Sequence, residues 1–232
     1  MLLKTGYGIV HYDSPDERGI DVAMLYNPVT FHVVSSDHLQ VILPQNDRTR
    51  DILFVKGKLS SGTFLYVFIN HWPSRREGSD VSEPKRMAAA SVLRSKIDEL
   101  RKSDPAANIL IMGDFNDEPS DNSIVKGLGA CIPEKKFRNT VLYSLLYPEF
   151  TSGQGSLYYK DWDLFDQIIV SGNMLSRSKG IHTSMQDAGI FKADWLLFKP
   201  KSGEPRPNRT MGNTYFGCYS DHLPVFVKFS LN

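Results

Sequence analysis

Residues 108–119, Asn108-Ile109-Leu110-Ile111-Met112-Gly113-Asp114-Phe115-Asn116-Asp117-Glu118-Pro119, constrain the fold more than any other stretch. Side chains of a strand alternate between its faces, so a run that is apolar at every position needs cover on both sides. It reads as a central strand. Gly113 lets the chain turn closely, and Asp114 and Asn116, two apart, can project from the same side where the strand ends. Asp117-Glu118-Pro119-Ser120 then reads as a turn leaving the sheet. Such a cluster can also be only the polar end of a strand. A calcium loop is a further reading, although the glycine and distal glutamate of that pattern are absent.

A second strand has the same character. Ile52 to Leu59, a Ser60-Ser61-Gly62 turn and Phe64 to Trp72 read as a hairpin. In its second arm Phe64, Tyr66 and Phe68 face one way and Leu65, Val67 and Ile69 the other, so this arm is also central. It runs into Asn70-His71-Trp72-Pro73-Ser74-Arg75-Arg76, a polar and basic cluster. A helix follows, with Ser82 as candidate N-cap and Pro84 in its first turn. Met87, Ala90, Leu93, Ile97 and Leu100 recur at helical spacing, and Asp104-Pro105 ends the run. This helix joins the His71 strand to the Asp114 strand, which suits a layered α/β arrangement.

Elsewhere, Tyr7 to Tyr12 and Ile20 to Tyr26 read as strands around a polar loop. Phe31 to Leu43 is β-prone with a break near Ser35-Ser36-Asp37, and Val141 to Tyr147 is either helical or irregular. Gly153 to Asp163 is an aromatic loop, a packing element or a wall that stacks substrate. Leu164 to Val170 is a strand in which Asp166 shares a face with Leu164, Ile168 and Val170. An ionised carboxylate there costs several kcal/mol unless it finds a cationic or hydrogen-bonding partner. Lys199 to Met211 is an exposed basic loop, and Tyr219 to Phe229 is a closing strand with Asp221-His222 at its start. No internal repeat appears, so residues 1–232 read as one domain.

A formal net charge of +1 gives no general pull toward polyanions, so an anionic substrate would meet a local basic patch. Cys131 and Cys218 make no disulfide framework and no zinc spacing, which leaves a hard, oxygen-bound metal as the expected kind. No apolar run approaches the ~18 residues that span a bilayer. Met1 to Gly6 is too short and polar for a signal peptide, so the chain as given reads as soluble. There is no Gly-x-Ser-x-Gly elbow or paired cysteine nucleophile. Instead several strands deliver His71, Asp114, Asn116, Asp166, Asp221 and His222 toward one end, a set suited to metal-assisted attack of water on a phosphoester.

Gly113-Asp114-Phe115-Asn116, Asn70-His71-Trp72-Pro73-Ser74-Arg75, Phe165-Asp166-Gln167-Ile168-Ile169-Val170-Ser171 and Ser220-Asp221-His222-Leu223-Pro224-Val225 together resemble the endonuclease/exonuclease/phosphatase superfamily. The resemblance runs from about Arg18 to Lys228 and implies an α/β (α+β) fold, a four-layer αββα sandwich of the DNase I-like type. It implies a metal-dependent phosphoesterase using Mg²⁺ or Mn²⁺ on nucleic acid, phospholipid or a small phosphate ester. His222 would be the acid or base at the scissile phosphate, and Asp166 the carboxylate that orients it. Asp114 and Asn116 would position water and a phosphate oxygen, with His71 beside the phosphate. Arg75 and Arg18 would assist with phosphate, and Asp221 would be a metal ligand. The family's early Asn strand and metal-binding Gln-Glu strand have no counterpart, so the domain is expected to be N-terminally incomplete. That departure keeps open a non-catalytic remnant that at most binds phosphate-bearing ligands.

Overall fold

The computed structural model describes residues 6–44, 47–134, 136–176, 180–211 and 214–231; the Met1–Thr5 stretch considered above lies outside them. An antiparallel ribbon comes first, β1 (Gly8–His11) with β2 (Ala23–Tyr26). There follow β3 (Phe31–Leu39), β4 (Ile52–Leu59), β5 (Phe64–His71), α1 (Ser79–Ser103) and β6 (Ile109–Asp114). A π-helical turn at Ser123–Leu128 precedes β7 (Ala130–Cys131), β8 (Leu142–Ser144) and the short α2 (Tyr147–Thr151). Next are β9 (Leu157–Tyr158), β10 (Trp162–Asp163), β11 (Asp166–Ser171), α3 (Asn173–Ser176), β12 (Ile181–His182) and β13 (Ala188–Ile190). The chain ends with β14 (Thr210–Met211), β15 (Thr214–Tyr215), β16 (Val225–Val227) and β17 (Ser230–Leu231).

Seven strands form the main sheet in the order β3-β4-β5-β6-β11-β8-β7. The two strands read from sequence as buried on both faces, β5 and β6, lie side by side near its middle, flanked by β4 and β11. One face of these strands carries Phe54, Tyr66, Phe68, Ile109, Ile111 and Ile169, packed against Ala90, Leu93 and Ile97 of α1 and Ile124 and Leu128 of the π-helical turn. The other face carries Leu53, Val55, Leu65, Val67, Leu110, Ile168 and Val170. It packs against Val10 of β1, Ile181 of β12, Ala188 of β13 and the half-buried Val225 and Val227 of β16. The second layer of the DNase I-like sandwich is thus represented by two-stranded ribbons, β1-β2, β13-β16 and β12-β17.

Three local readings differ from the structure. The helix begins at Ser79, one turn before Ser82, because Gly78 takes the N-cap position at φ 101°. Ser82 therefore bonds as an interior residue, donating to Gly78 O at 2.6 Å and accepting from Arg86 Nη1 at 2.7 Å. Within 141–147, Leu142–Ser144 is a strand, paired with both β7 and β11. The aromatic loop contains a tight hairpin, since β9 and β10 pair Tyr158 with Trp162 and Leu157 with Asp163. In both cases two or three residues are too few for a period to show. The break near Ser35 is a bulge in β3, where the register against β4 shifts between Val33 and Ser35.

One contact fixes how β5 and β6 come together. Gly113 lies opposite Asn70, with φ 133°, and a Cβ there would sit 1.9 Å from Asn70 O. Only glycine fits. Buried Asn70 donates to Phe68 O and Met112 O and accepts from Trp72 Nε1 at 3.0 Å, while Trp72 packs edge-on to Phe115 at 4.7 Å. Replacing Gly113 by Ala should cost roughly 3 kcal/mol or more, because it adds both a clash and a strained backbone. Urea unfolding of the Gly113→Ala variant against the parent would measure this, and a change under 1 kcal/mol would contradict the assignment.

Candidate active site

Strand register does most of the assembly. Across the parallel pair β5/β6, His71 lies opposite Asp114, and across the antiparallel pair β6/β11, Asp114 lies opposite Asp166. The three residues stand at one level, His71 and Asp114 closing β5 and β6 and Asp166 opening β11. By alternation His71 follows Leu65, Val67 and Ile69, Asp114 follows Leu110 and Met112, and Asp166 precedes Ile168 and Val170. All three therefore point to the face that carries the ribbons. A slip of one residue in any strand would send its member into the helix layer instead.

His222 reaches the same point from the ribbon layer. The segment before β16 runs antiparallel to residues 156–157: Leu157 bridges His222, and Leu223 N donates to Ser156 O at 2.7 Å. His222 Nδ1 lies 2.6 Å from Asp166 Oδ2, which also accepts from Ser156 Oγ at 2.6 Å. The partner required by Asp166 on its apolar face is thus an imidazole and a hydroxyl. Asn116 takes a left-handed backbone with φ 50°, a conformation asparagine tolerates better than most residues. Its amide N–H donates to Asp114 Oδ1 at 2.8 Å, and its side-chain Nδ2 donates to Trp72 O at 3.0 Å and Asp114 Oδ2 at 3.3 Å. His71 Nε2 stands 3.5 Å from Asp114 Oδ2.

The two imidazoles are pulled in opposite directions. Burial and the positive charges of Arg50, Arg18 and His222 push His71 down to about 4, so it is neutral. Burial also disfavours charge on His222, but the hydrogen bond and charge of Asp166, with Asp114 and Asp221 nearby, hold it up to about 9. Burial and the Asp166 charge push the Asp114 carboxyl up to about 6. One imidazolium, one neutral imidazole and one raised carboxyl within a single site can divide acid and base work between them.

His71, Asp114, Asn116, Asp166, His222, Asp221, Arg75 and Arg18, the eight residues expected from sequence, all line one cleft. They differ in how free they are. Arg75 is engaged with Asn116 O, Asp117 and Asp121 and lies over the Phe165 ring at 4.6 Å. It therefore braces the Asn116 turn. Arg18 is exposed, with Nε 3.5 Å from Asp16 Oδ1. Asp221 is exposed and makes no side-chain hydrogen bond or ion pair among the described residues. The aromatic hairpin and the basic loop reach the same cleft through Tyr158, Tyr159, Pro207, Asn208 and Thr210.

Sequence reasoning missed Ser156 and Arg50. Buried Arg50 donates to His71 O at 3.0 Å, Trp72 O at 2.6 Å and Asp16 Oδ2 at 2.8 Å, so it ties the end of β5 to the β1-β2 loop. An Arg-Asp pair abutting an apolar strand was the available signal; for Ser156 there was none.

Three carboxylate or imidazole atoms within 4.8 Å of one another occur among the described residues only at His11, Asp13 and Asp21, not in the cleft. The cleft nonetheless suits an ion that keeps most of its waters and takes one or two carboxylates together with phosphate oxygens, as Mg²⁺ does. Asp221, whose carboxylate has no side-chain partner among the described residues, would hold it, and a bound cation would offset the Asp166 charge that helps raise Asp114.

The electrostatics are directly measurable. In metal-free protein, NMR titration should find the His222 ring protonated up to about pH 9 and the His71 ring neutral down to about pH 4. In Asp166→Asn the His222 midpoint should fall by at least 1 unit, since an adjacent carboxylate typically raises an imidazole by that order. A raised imidazole stabilises the folded state fully below its unfolded value near 6.5 and loses that contribution as pH rises through about 9. The stability gap between parent and Asp166→Asn should therefore narrow above pH 9.

No match is found among curated proteins. Among solved structures, the human Nocturnin catalytic domain superposes with a TM-score of 0.62 at 17% identity, over 100% of this chain and 74% of that one. A mannosyl-6-phosphatase from Bacteroides thetaiotaomicron gives 0.60 at 16% identity, over 97% and 78%. Truncated TDP2 of Caenorhabditis elegans gives 0.58 at 16% identity, over 97% and 75%. These likenesses concern the fold. A family model described as Endonuclease/Exonuclease/phosphatase family matches residues 1–230, and the chain belongs to that family.

Proposed function

We propose that this protein is a metal-dependent phosphoesterase that hydrolyses a phosphodiester or phosphomonoester by attack of water. The observation that carries the proposal is the meeting of the His222–Asp166 pair with Asp114, Asn116 and His71 at one level of three adjacent strands. In this reading Asp166 keeps His222 protonated and oriented, so that Nε2 donates to a phosphoryl or leaving-group oxygen. Asp114 accepts a proton from the attacking water, a role consistent with a carboxyl raised to about 6. Neutral His71 stands beside the phosphate, and Asn116, whose N–H groups go to Asp114 and Trp72 O, holds Asp114 in place. Mg²⁺ or Mn²⁺, held by Asp221, would add positive charge where the transition state gathers negative charge.

The printed descriptions of the neighbours support a phosphate-centred reading without naming a substrate for this chain. Nocturnin was solved with a bound sulfate anion, one neighbour is a mannosyl-6-phosphatase, and ANGEL2 is described as a 2′,3′-cyclic phosphatase. A nucleic acid, a phospholipid or a small phosphate ester remains the substrate range proposed. No described helix is long and apolar enough to cross a membrane. One observation favours a second reading, a fold that binds phosphate without turning it over: the cleft has no group of three converging ligand atoms among the described residues.

Mg²⁺- or Mn²⁺-dependent hydrolysis of bis(p-nitrophenyl) phosphate separates the two. His222→Ala should lose ~10²–10⁴-fold in kcat, the usual weight of a general acid or base. Asp221→Ala should raise the metal concentration needed for half-maximal rate. Folded protein that shows no turnover over a range of metal concentrations would sink the enzyme reading in favour of phosphate binding alone.

A further inference from the structure

Beside the cleft lies a second hollow, walled chiefly by residues 16–18, 47–50, 73–74 and 76–77 and by Lys85. Arg18, Ser74 and Arg76 line both spaces, so the hollow continues the cleft past the end of β5. Its charges do not simply cancel in pairs. Asp16 is taken by Arg50 at 2.8 Å and faces Arg18 at 3.5 Å. Asp47 and Glu77 share Lys85, at 2.5 and 2.8 Å. Three of the four carboxylates are thereby matched within the wall. Arg48 and Arg76 are exposed and have no ion pair among the described residues. Thr49, 2% exposed, lies in the same wall, and its buried hydroxyl has no hydrogen-bond partner among the described residues.

Two exposed guanidinium groups without an ion pair among the described residues, against one unmatched carboxylate, Glu17, give the hollow a net positive wall continuous with the cleft and suited to an anion, with the Thr49 hydroxyl in reserve. We propose that this hollow is a second-phosphate subsite, and that the substrate carries a further phosphate displaced from the one cleaved. The proposal rests on the phosphoesterase reading and narrows its substrate class. A substrate with a single phosphate, such as a sugar monophosphate, would leave the hollow unused. A nucleotide strand or a small bisphosphate would fill it. Arg48 lines the hollow and not the cleft, so it reports on the subsite without disturbing the chemistry.

The test uses the full chain with Arg48→Ala and the charge reversal Arg48→Glu, checked for parental unfolding curves. Turnover is compared on thymidine 5′-(p-nitrophenyl phosphate) and on the same ester carrying a 3′-phosphate. The subsite requires kcat/KM on the 3′-phosphorylated ester to fall about tenfold in Arg48→Ala and further in Arg48→Glu, while the single-phosphate ester stays within twofold. Equal losses on both esters, or no loss on either, would overturn it. In parallel, fluorescence anisotropy with labelled oligothymidylate in EDTA, across a salt series, reads binding without catalysis. Parental protein should bind and Arg48→Ala should bind about tenfold more weakly, with a log–log salt slope smaller by about 0.7, the weight of one single-strand phosphate contact. Unchanged affinity and slope, together with an unchanged preference for the 3′-phosphorylated ester, would leave no subsite. Loss of the ester preference without loss of oligothymidylate binding would assign the hollow to a small bisphosphate rather than a strand. If no ester is hydrolysed by the parental protein, the phosphoesterase reading fails by itself. The anisotropy arm, extended by competition with thymidine 3′,5′-bisphosphate against thymidine 5′-monophosphate, then decides the subsite alone.

Discussion

The close approach of Gly113 to the backbone of Asn70 sets the register on which the rest of the site depends. Strand pairing has a period of two, so register decides not only which residues are level but which face they occupy. With β5, β6 and β11 aligned, His71, Asp114 and Asp166 arrive together on one side. The hydrogen bonds among Asn70, Trp72, Asn116 and Arg50 hold the strand ends once they are aligned. Rigid central strands, buried on both faces, carry the reacting groups. The aromatic hairpin and the basic loop only rim the cleft. That division lets a scaffold keep its chemistry while its substrate contacts differ.

Electrostatics then give nearly level residues unlike roles. Asp166 lies on an apolar face, where an unpaired charge would be costly, and the imidazolium of His222 relieves it. The same pair holds His222 charged, while burial and neighbouring cations keep His71 neutral. Thus a single half-buried carboxylate does two things: it satisfies its own position and sets the protonation of the group expected to meet the leaving oxygen. Arg75 shows the opposite case. Its place in a His-Trp-Pro-Ser-Arg run suggested phosphate contact, and its Nε and Nη2 donors instead go to Asn116 O, Asp117 and Asp121.

Much of this was legible in the sequence because it rests on strong local signals. Apolar residues at every position of 109–112 and 64–69 marked the central strands, and polar residues at their ends marked the site. The buried-face position of Asp166 foretold a partner, and the structure supplies His222 and Ser156. What escaped was what has no period. The strand Leu142–Ser144 is three residues long, and the Leu157–Tyr158/Trp162–Asp163 hairpin has two residues per arm. Ser156 earns its role from a pairing with the segment before β16, more than sixty residues away, and no local pattern encodes that. The start of α1 moved because Gly78 could adopt a left-handed cap where Ser82 was the better side-chain cap on propensity alone.

The central claim is that one phosphate position is served jointly by residues from three strands and the ribbon layer. The chain has six histidines, which makes that claim directly observable. Histidine-selective NMR would be followed while a non-hydrolysable phosphonate diester is added. The ring signals of His71 and His222 should shift together with a single saturation curve, while those of His11, His32, His38 and His182 stay in place. Separate curves for His71 and His222, or movement of the other rings instead, would show that the aligned strand ends do not form one phosphate site.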